Sequence, residues 1–273
     1  MLKQRLLTAI ILIPLILWVL TLSSQTFAWV TGIFVVGSAF EWAGLCGWPL
    51  KITRILYTIF TIFLLLIAYS FRHELNILYI LLGACIWWVV AFFWVLRCQQ
   101  GQFSLPTSPL VKAFLGVFIL LPAWIALIYL HEHDDYGWQS VVFLFVLIWV
   151  ADSGAYFVGK RWGKIKLADK ISPGKTYEGV AGALLMSLIV SLGYALTLSL
   201  SPMTLFFFML LCLLTIIASI LGDLLESLFK RQAGLKDSGQ ILPGHGGILD
   251  RIDSLTAAAP IFVIGLILLG KVF

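Results

Sequence analysis

The chain has 273 residues, of which 61% are hydrophobic and 11% charged, with a net charge of +5. Soluble domains carry about 25% charged and about 45–50% apolar residues, so a mean hydropathy of +1.04 excludes a water-soluble globule, a disordered chain and a nucleic-acid-binding module. Most of the surface must face lipid, which makes this an integral membrane protein. Its four cysteines, Cys46, Cys85, Cys98 and Cys212, have neither metal-ligand spacing nor a clustered framework, and read as small hydrophobes.

A helix needs about 20 apolar residues to cross a bilayer core. In chain order such runs fall at approximately 6–22, 27–46, 53–70, 75–96, 110–130, 138–158, 178–200, 204–227 and 254–271. They are too long and too continuously apolar for barrel strands. The expected fold is an all-α polytopic membrane protein of about nine transmembrane helices. The first run follows Lys3 and Arg5 like a signal peptide, but no cleavage site separates it from the second, so it reads as a retained helix. Gln99 to Pro109 is linker-like. It suggests a division into N-terminal helices (1–98), a linker loop with the fifth helix (99–137) and a C-terminal catalytic region (138–273).

Nine crossings place every Lys and Arg except Arg72 and Lys271 on one side. The positive-inside rule makes that side cytoplasmic, with the N-terminus cytoplasmic and the C-terminus exterior. Of the acidic residues, Glu74, Glu132, Asp134 and Asp135 fall outside. Glu41, Asp152, Asp169, Glu178, Asp223, Glu226, Asp237, Asp250 and Asp253 lie on the cytoplasmic side or in a span near it. The long loops are also cytoplasmic, so the chemistry is expected there.

Ionisable groups inside a membrane are costly and usually functional. The eighth span ends with Asp223, Glu226, Ser227 and Lys230 at i, i+3, i+4 and i+7, on one stripe. The ninth opens with Asp250, Asp253 and Ser254 at i, i+3 and i+4. Two carboxylate-bearing helix ends joined by a glycine-rich loop suit Mg²⁺, which takes one or two carboxylates plus water and phosphate oxygens. The plainer alternative is that Asp250 and Asp253 serve the helix dipole. That does not account for Asp223 at a C-terminal end.

Between them, Gly234, Gly239, Gly244, Gly246 and Gly247 let backbone N–H groups approach a ligand, and Lys230, Arg231, Lys236 and Arg251 surround the loop with positive charge. This pattern describes a polyphosphate–Mg²⁺ site, and equally an anionic-lipid contact. Upstream, Asp152 and Tyr156 stand one turn apart at the end of the sixth span. Asp152 needs a cavity there, or a hydrogen bond to a neighbouring helix. The following loop, Lys160 to Lys175, is basic enough to attract nucleotides or anionic headgroups. Gly174-Lys175-Thr176 resembles the end of a P-loop, but the required earlier glycine is Asp169 and no strand is expected before it. Lys175 remains a phosphate-binding candidate. His131-Glu132-His133-Asp134-Asp135 looks metal-like but reads as a solvated exterior loop.

Residues 227–253 carry a known pattern: Ser227-Leu228-Phe229-Lys230-Arg231, then Lys236-Asp237-Ser238-Gly239, then Leu242-Pro243-Gly244-His245-Gly246-Gly247-Ile248-Leu249-Asp250-Arg251-Ile252-Asp253. This resembles the signature of bacterial phosphatidate cytidylyltransferases (CDP-diacylglycerol synthases). A second region, Ala151-Asp152-Ser153-Gly154-Ala155-Tyr156 to Gly159 and Ser172 to Gly179, is also similar, with Gly174 and Tyr177 standing where Lys and Trp are commoner.

The resemblance implies a multi-pass enzyme of the bacterial inner membrane and a homodimer, with its active site facing the cytoplasm. It would condense CTP with phosphatidic acid to CDP-diacylglycerol and pyrophosphate, using Mg²⁺ and admitting a monovalent cation such as K⁺. It implies a catalytic set of Asp223, Lys236, Asp237, Asp250 and Arg251. Asp223 and Asp250 would hold Mg²⁺, with Asp253 and Asp237 behind them or at a second cation. Substrate contacts would come from Asp152, Lys175, Ser227, Lys230, Arg231, His245, Gly246 and Gly247.

Two rivals stand beside this reading. The acceptor could be an ether lipid, as in CDP-archaeol synthases, or another lipid phosphate, although the signature over residues 227–253 favours diacyl phosphatidate. A carrier for an anionic solute would want intramembrane charges near the midplane and access from both faces, whereas here they crowd one face.

Overall fold

A computed structural model describes Pro14 and residues 18–48, 50–74, 76–101, 106–133, 137–198, 200–241 and 246–272, the side chains of 271 and 272 excepted. Its helices are α1 (Ser24–Leu45), α2 (Lys51–Ser70), α3 (Ile77–Gln99), α4 (Pro109–Glu132), α5 (Gly137–Trp162), α6 (Tyr177–Ala195), α7 (Pro202–Gln232) and α8 (Leu249–Val272). Among the described residues, eight helices are long and apolar enough to cross a membrane, and the protein is an all-α polytopic membrane protein. The expected first span, 6–22, falls largely outside the described residues. The other eight agree with expectation to within a few residues at most ends, but α7 and α8 extend further toward the loop between them. At about 1.5 Å per residue the 31 residues of α7 reach well past a hydrocarbon core of about 30 Å.

The long basic loop after α5 is not irregular throughout. Strands β1 (Lys166–Ala168) and β2 (Ser172–Thr176) form an antiparallel pair with Lys166 opposite Thr176 and Ala168 opposite Ser172. Gly174-Lys175-Thr176 therefore lies in a strand rather than a phosphate-cradling loop. Thr176 ends the strand and caps α6, its Oγ1 accepting from the Gly179 N–H at 3.1 Å.

The chain divides into two units. The first comprises Met1–Ile80, Leu105–Val142 and Phe229–Asp253. Its core is pinned by aromatic donors: Trp42 Nε1 donates to the Lys112 carbonyl at 2.8 Å, and the Tyr57 hydroxyl to the Ala113 carbonyl at 3.0 Å. Both rings reach α4 because Gly116 lacks a side chain; a Cβ there would collide with Trp42 and the Tyr57 hydroxyl. Trp42 also packs against Phe229, ring centroids 4.8 Å apart. Cys46 is buried beside this cluster. All four cysteines are free, as expected of small hydrophobes.

His131 and Glu132 depart from the solvated-loop reading. Both belong to the last turn of α4. His131 is buried, stacked on Phe27 and hydrogen-bonded to the Ser24 hydroxyl and the Leu20 carbonyl. Glu132 pairs with Arg72 at 3.0 Å. The apolar periodicity of α4 continues to Leu130, so the helix carries these residues inward before the chain turns. Asp134 and Asp135 lie outside the described residues.

The second unit comprises Leu81–Ser104, Phe143–Leu228 and Ser254–Phe273. Phe143 stacks on Tyr194 at 4.2 Å and meets Phe208 and Phe262. Helices α5 and α6 approach closely through small residues: a Cβ on Gly182 would lie 2.6 Å from Val158 and 2.7 Å from the Gly154 carbonyl. Without hydrophobic drive between spans, such close backbone packing is what holds them together.

Candidate active site

In the second unit the crossing of α5 and α6 fixes where Asp152 and the hairpin stand. The hairpin is tied to α6 through the Tyr177 N–H, which donates to the Ile165 carbonyl, and through Glu178, which accepts from the Ile165 N–H at 3.3 Å. Lys175, near the end of β2, reaches Asp223 of α7 at 2.6 Å. One turn on from Asp223, Ser227 donates its hydroxyl to Asp223 Oδ1 at 3.2 Å. Asp152 is exposed and interacts electrostatically with both Asp223 and Lys175. Four sequence-predicted residues from two helices and a strand thus converge.

In the first unit α7 ends in a Schellman motif. Gly234 adopts φ +72°, Leu235 N–H donates to the Lys230 carbonyl and Gly234 N–H to the Arg231 carbonyl. Glycine is required at this left-handed position, and it turns the chain into the loop. Asp250, in the first turn of α8, gathers the loop back. Its carboxylate accepts from Lys230 Nζ at 2.7 Å, from the Gly247 N–H at 2.8 Å and from the Ser238 N–H at 3.0 Å. The Lys230 and Asp250 side chains are each only 9% exposed. Asp237 lies beside Gly246, and Lys236, Asp237, Arg231 and Arg251 are exposed. Asp253 lies one turn into α8. His245 lies outside the described residues.

Among the described residues no group of three or more His, Cys, Asp or Glu is gathered to hold a metal. Mg²⁺ asks less of a protein, one or two carboxylates with phosphate oxygens completing the shell. Asp223 with Asp152 beside it fits that requirement. Asp250 differs in being more enclosed: its side chain is 9% exposed and accepts from a lysine and two backbone N–H groups, whereas Asp223, which accepts from Lys175 and Ser227, is 32% exposed.

Sequence reasoning assigned no role to Glu41 or Ser238. Glu41, in α1, is buried and accepts from the Ser238 hydroxyl at 3.1 Å and the Leu249 N–H at 2.8 Å. The available signal was a carboxylate inside an apolar span.

The pattern of the Cytidylyltransferase family matches residues 3–269, so the chain belongs to that family. A phosphatidate cytidylyltransferase of Haemophilus influenzae is 37% identical over 96% of this chain and 97% of its own length. One from Pseudomonas aeruginosa is 42% identical over 96% of each chain. The phosphatidate cytidylyltransferase of Bacillus subtilis is 47% identical over 46% of this chain and 47% of its own.

Proposed function

We propose that this enzyme makes CDP-diacylglycerol from CTP and phosphatidic acid at the cytoplasmic face of the bacterial inner membrane. The observation that carries the reading is the near-full-length likeness to two phosphatidate cytidylyltransferases. The clustering of Asp152, Lys175, Asp223 and Ser227 supports it from the chemistry of the site. The positive-inside distribution of Lys and Arg supports the cytoplasmic face. The homodimer and a K⁺ ion rest on the family resemblance alone.

In the reaction a phosphate oxygen of phosphatidic acid attacks the α-phosphorus of CTP. The bond from that phosphorus to the oxygen bridging to the β-phosphate breaks, and pyrophosphate leaves. The attacking oxygen is already anionic near neutral pH, so no side chain need remove a proton. The protein supplies alignment and charge stabilisation. Lys175 and the exposed Lys236, Arg231 and Arg251 provide positive charge for the triphosphate and the lipid phosphate. Gly246 and Gly247 let backbone come close to phosphate oxygens, and Lys230 with Asp250 holds that loop in shape. Asp223, with Asp152 near it, supplies hard oxygen donors for Mg²⁺, which when bound neutralises triphosphate charge.

The test is CTP-dependent conversion of phosphatidic acid to CDP-diacylglycerol by the purified protein in detergent, with and without Mg²⁺. Mg²⁺-dependent product is expected. A folded protein that forms none from any offered lipid phosphate overturns the reading.

A further inference from the structure

We infer that Glu41 is a positioning residue for the glycine-rich loop, capping the amino end of α8 from a helix at the other end of the sequence. The first N–H groups of a helix lack partners within it and are usually met by a Ser, Thr, Asp or Asn just before the helix. Here that position is Ile248, whose side chain accepts nothing and instead lies against Gly37. The missing acceptor comes from Glu41 Oε2, which takes the Leu249 N–H at 2.8 Å and the Ser238 hydroxyl at 3.1 Å. Ser238 is thereby held twice, its N–H by Asp250 and its hydroxyl by Glu41.

Two glycines make this arrangement possible. A Cβ on Gly239 or on Gly247 would run into the Glu41 carboxylate. Their lack of side chains therefore has a use beyond exposing backbone to a ligand: it admits the carboxylate. Glu41 is 4% exposed and sits in an apolar helix, where an ionisable group is costly without hydrogen bonds. Among the described residues its second oxygen, Oε1, has no hydrogen-bond partner. Its bonding to the described residues is directed through Oε2 at Ser238 and the start of α8.

The consequence for catalysis rests on the proposed cytidylyl transfer. Without Glu41, the exposed cations Lys236, Arg231 and Arg251 still attract polyphosphate, but Ser238 and the start of α8 lose the acceptor that fixes them. Binding then survives better than turnover, since alignment contributes to the transition state more than to the ground state.

The test compares Glu41→Ala, Glu41→Gln and Ser238→Ala with the wild-type full chain in detergent, by steady-state kinetics and by amide hydrogen exchange over residues 234–250. In Glu41→Ala, exchange at Leu249 is expected to rise about tenfold, the loss of one hydrogen bond. Its kcat is expected to fall about 100-fold, with KM for CTP changing less than about threefold. In Glu41→Gln both readouts should stay near wild type, because the amide oxygen accepts at the Oε2 position and the NH₂ replaces an oxygen that accepts no bond from the described residues. Ser238→Ala, which leaves no large void, should fall between. Wild-type exchange in Glu41→Ala overturns the inference, as does a Gln variant as impaired as Ala. If even the wild-type protein makes no CDP-diacylglycerol, the reaction assignment fails, and exchange alone decides the role of Glu41.

Discussion

The ammonium of Lys175 lies 2.6 Å from a carboxylate oxygen of Asp223, joining a β-strand to a membrane helix in the second unit. Its charge also opposes the repulsion between the carboxylates of Asp152 and Asp223. Lys175→Ala is expected to raise the KM for CTP or phosphatidic acid about tenfold or more, and to shift thermal stability by no more than about 1 kcal/mol, because both partners are partly exposed. Steady-state kinetics with either substrate varied checks it. Unchanged kinetics would leave Lys175 as a topology determinant only.

Asp250→Asn should abolish turnover while the protein remains folded. The amide keeps an acceptor for the Gly247 and Ser238 N–H groups but removes the charge facing the buried Lys230. Leaving a buried ion without its partner costs about 3–5 kcal/mol, an upper limit here since the amide oxygen still accepts. Activity and thermal midpoint, measured on the same preparation, separate the two effects. Activity near wild type would sink the assignment of Asp250 to the catalytic set.

Alanine at two glycines should behave oppositely. At Gly247 a Cβ would fall on the Ser238 hydroxyl and the Glu41 carboxylate, whereas at Gly174 it would meet nothing within 4 Å. Gly247→Ala should therefore destabilise by about 1–3 kcal/mol and impair turnover, and Gly174→Ala should change stability by less than about 0.5 kcal/mol. Thermal unfolding in detergent reads both. Equal midpoints would show that the loop yields without cost.

Removing divalent cations with EDTA should stop product formation, and Mg²⁺ should restore it. Ca²⁺, larger and less strict in geometry, should restore it poorly. Turnover that persists in EDTA would remove Asp223 and Asp152 from any role as metal donors.

Much of this was legible in the sequence, for unequal reasons. Spans show because apolar length is a property of consecutive residues, and Asp152 and Asp223 stand out as carboxylates at the ends of such runs. The strand pair around Lys166 and Thr176 does not show: its segments are short and rich in Lys, Ser, Pro and Gly, with no alternation. The stripe of Asp250, Asp253 and Ser254 marks the start of α8, but the backbone N–H groups of Ser238 and Gly247 that Asp250 accepts from leave no sign in the sequence. Glu41 was noted only as one acidic residue among nine, since a cap delivered across the chain leaves no local pattern. His131 and Glu132 were misjudged because polar side chains in a last helical turn resemble a solvated loop until their partners, Ser24 and Arg72, are known.

The cap on α8 also orders events during synthesis. Glu41 and Leu249 are 208 residues apart, and at roughly 5–20 residues per second the ribosome needs roughly 10–40 s to make the second after the first. For that interval a carboxylate sits at the end of a newly inserted helix without Ser238 or Leu249 to receive. Water or lipid headgroups must satisfy it until the last span arrives. A nascent chain halted before α8 would carry that exposed acid, a feature by which quality control could tell an unfinished chain from a finished one.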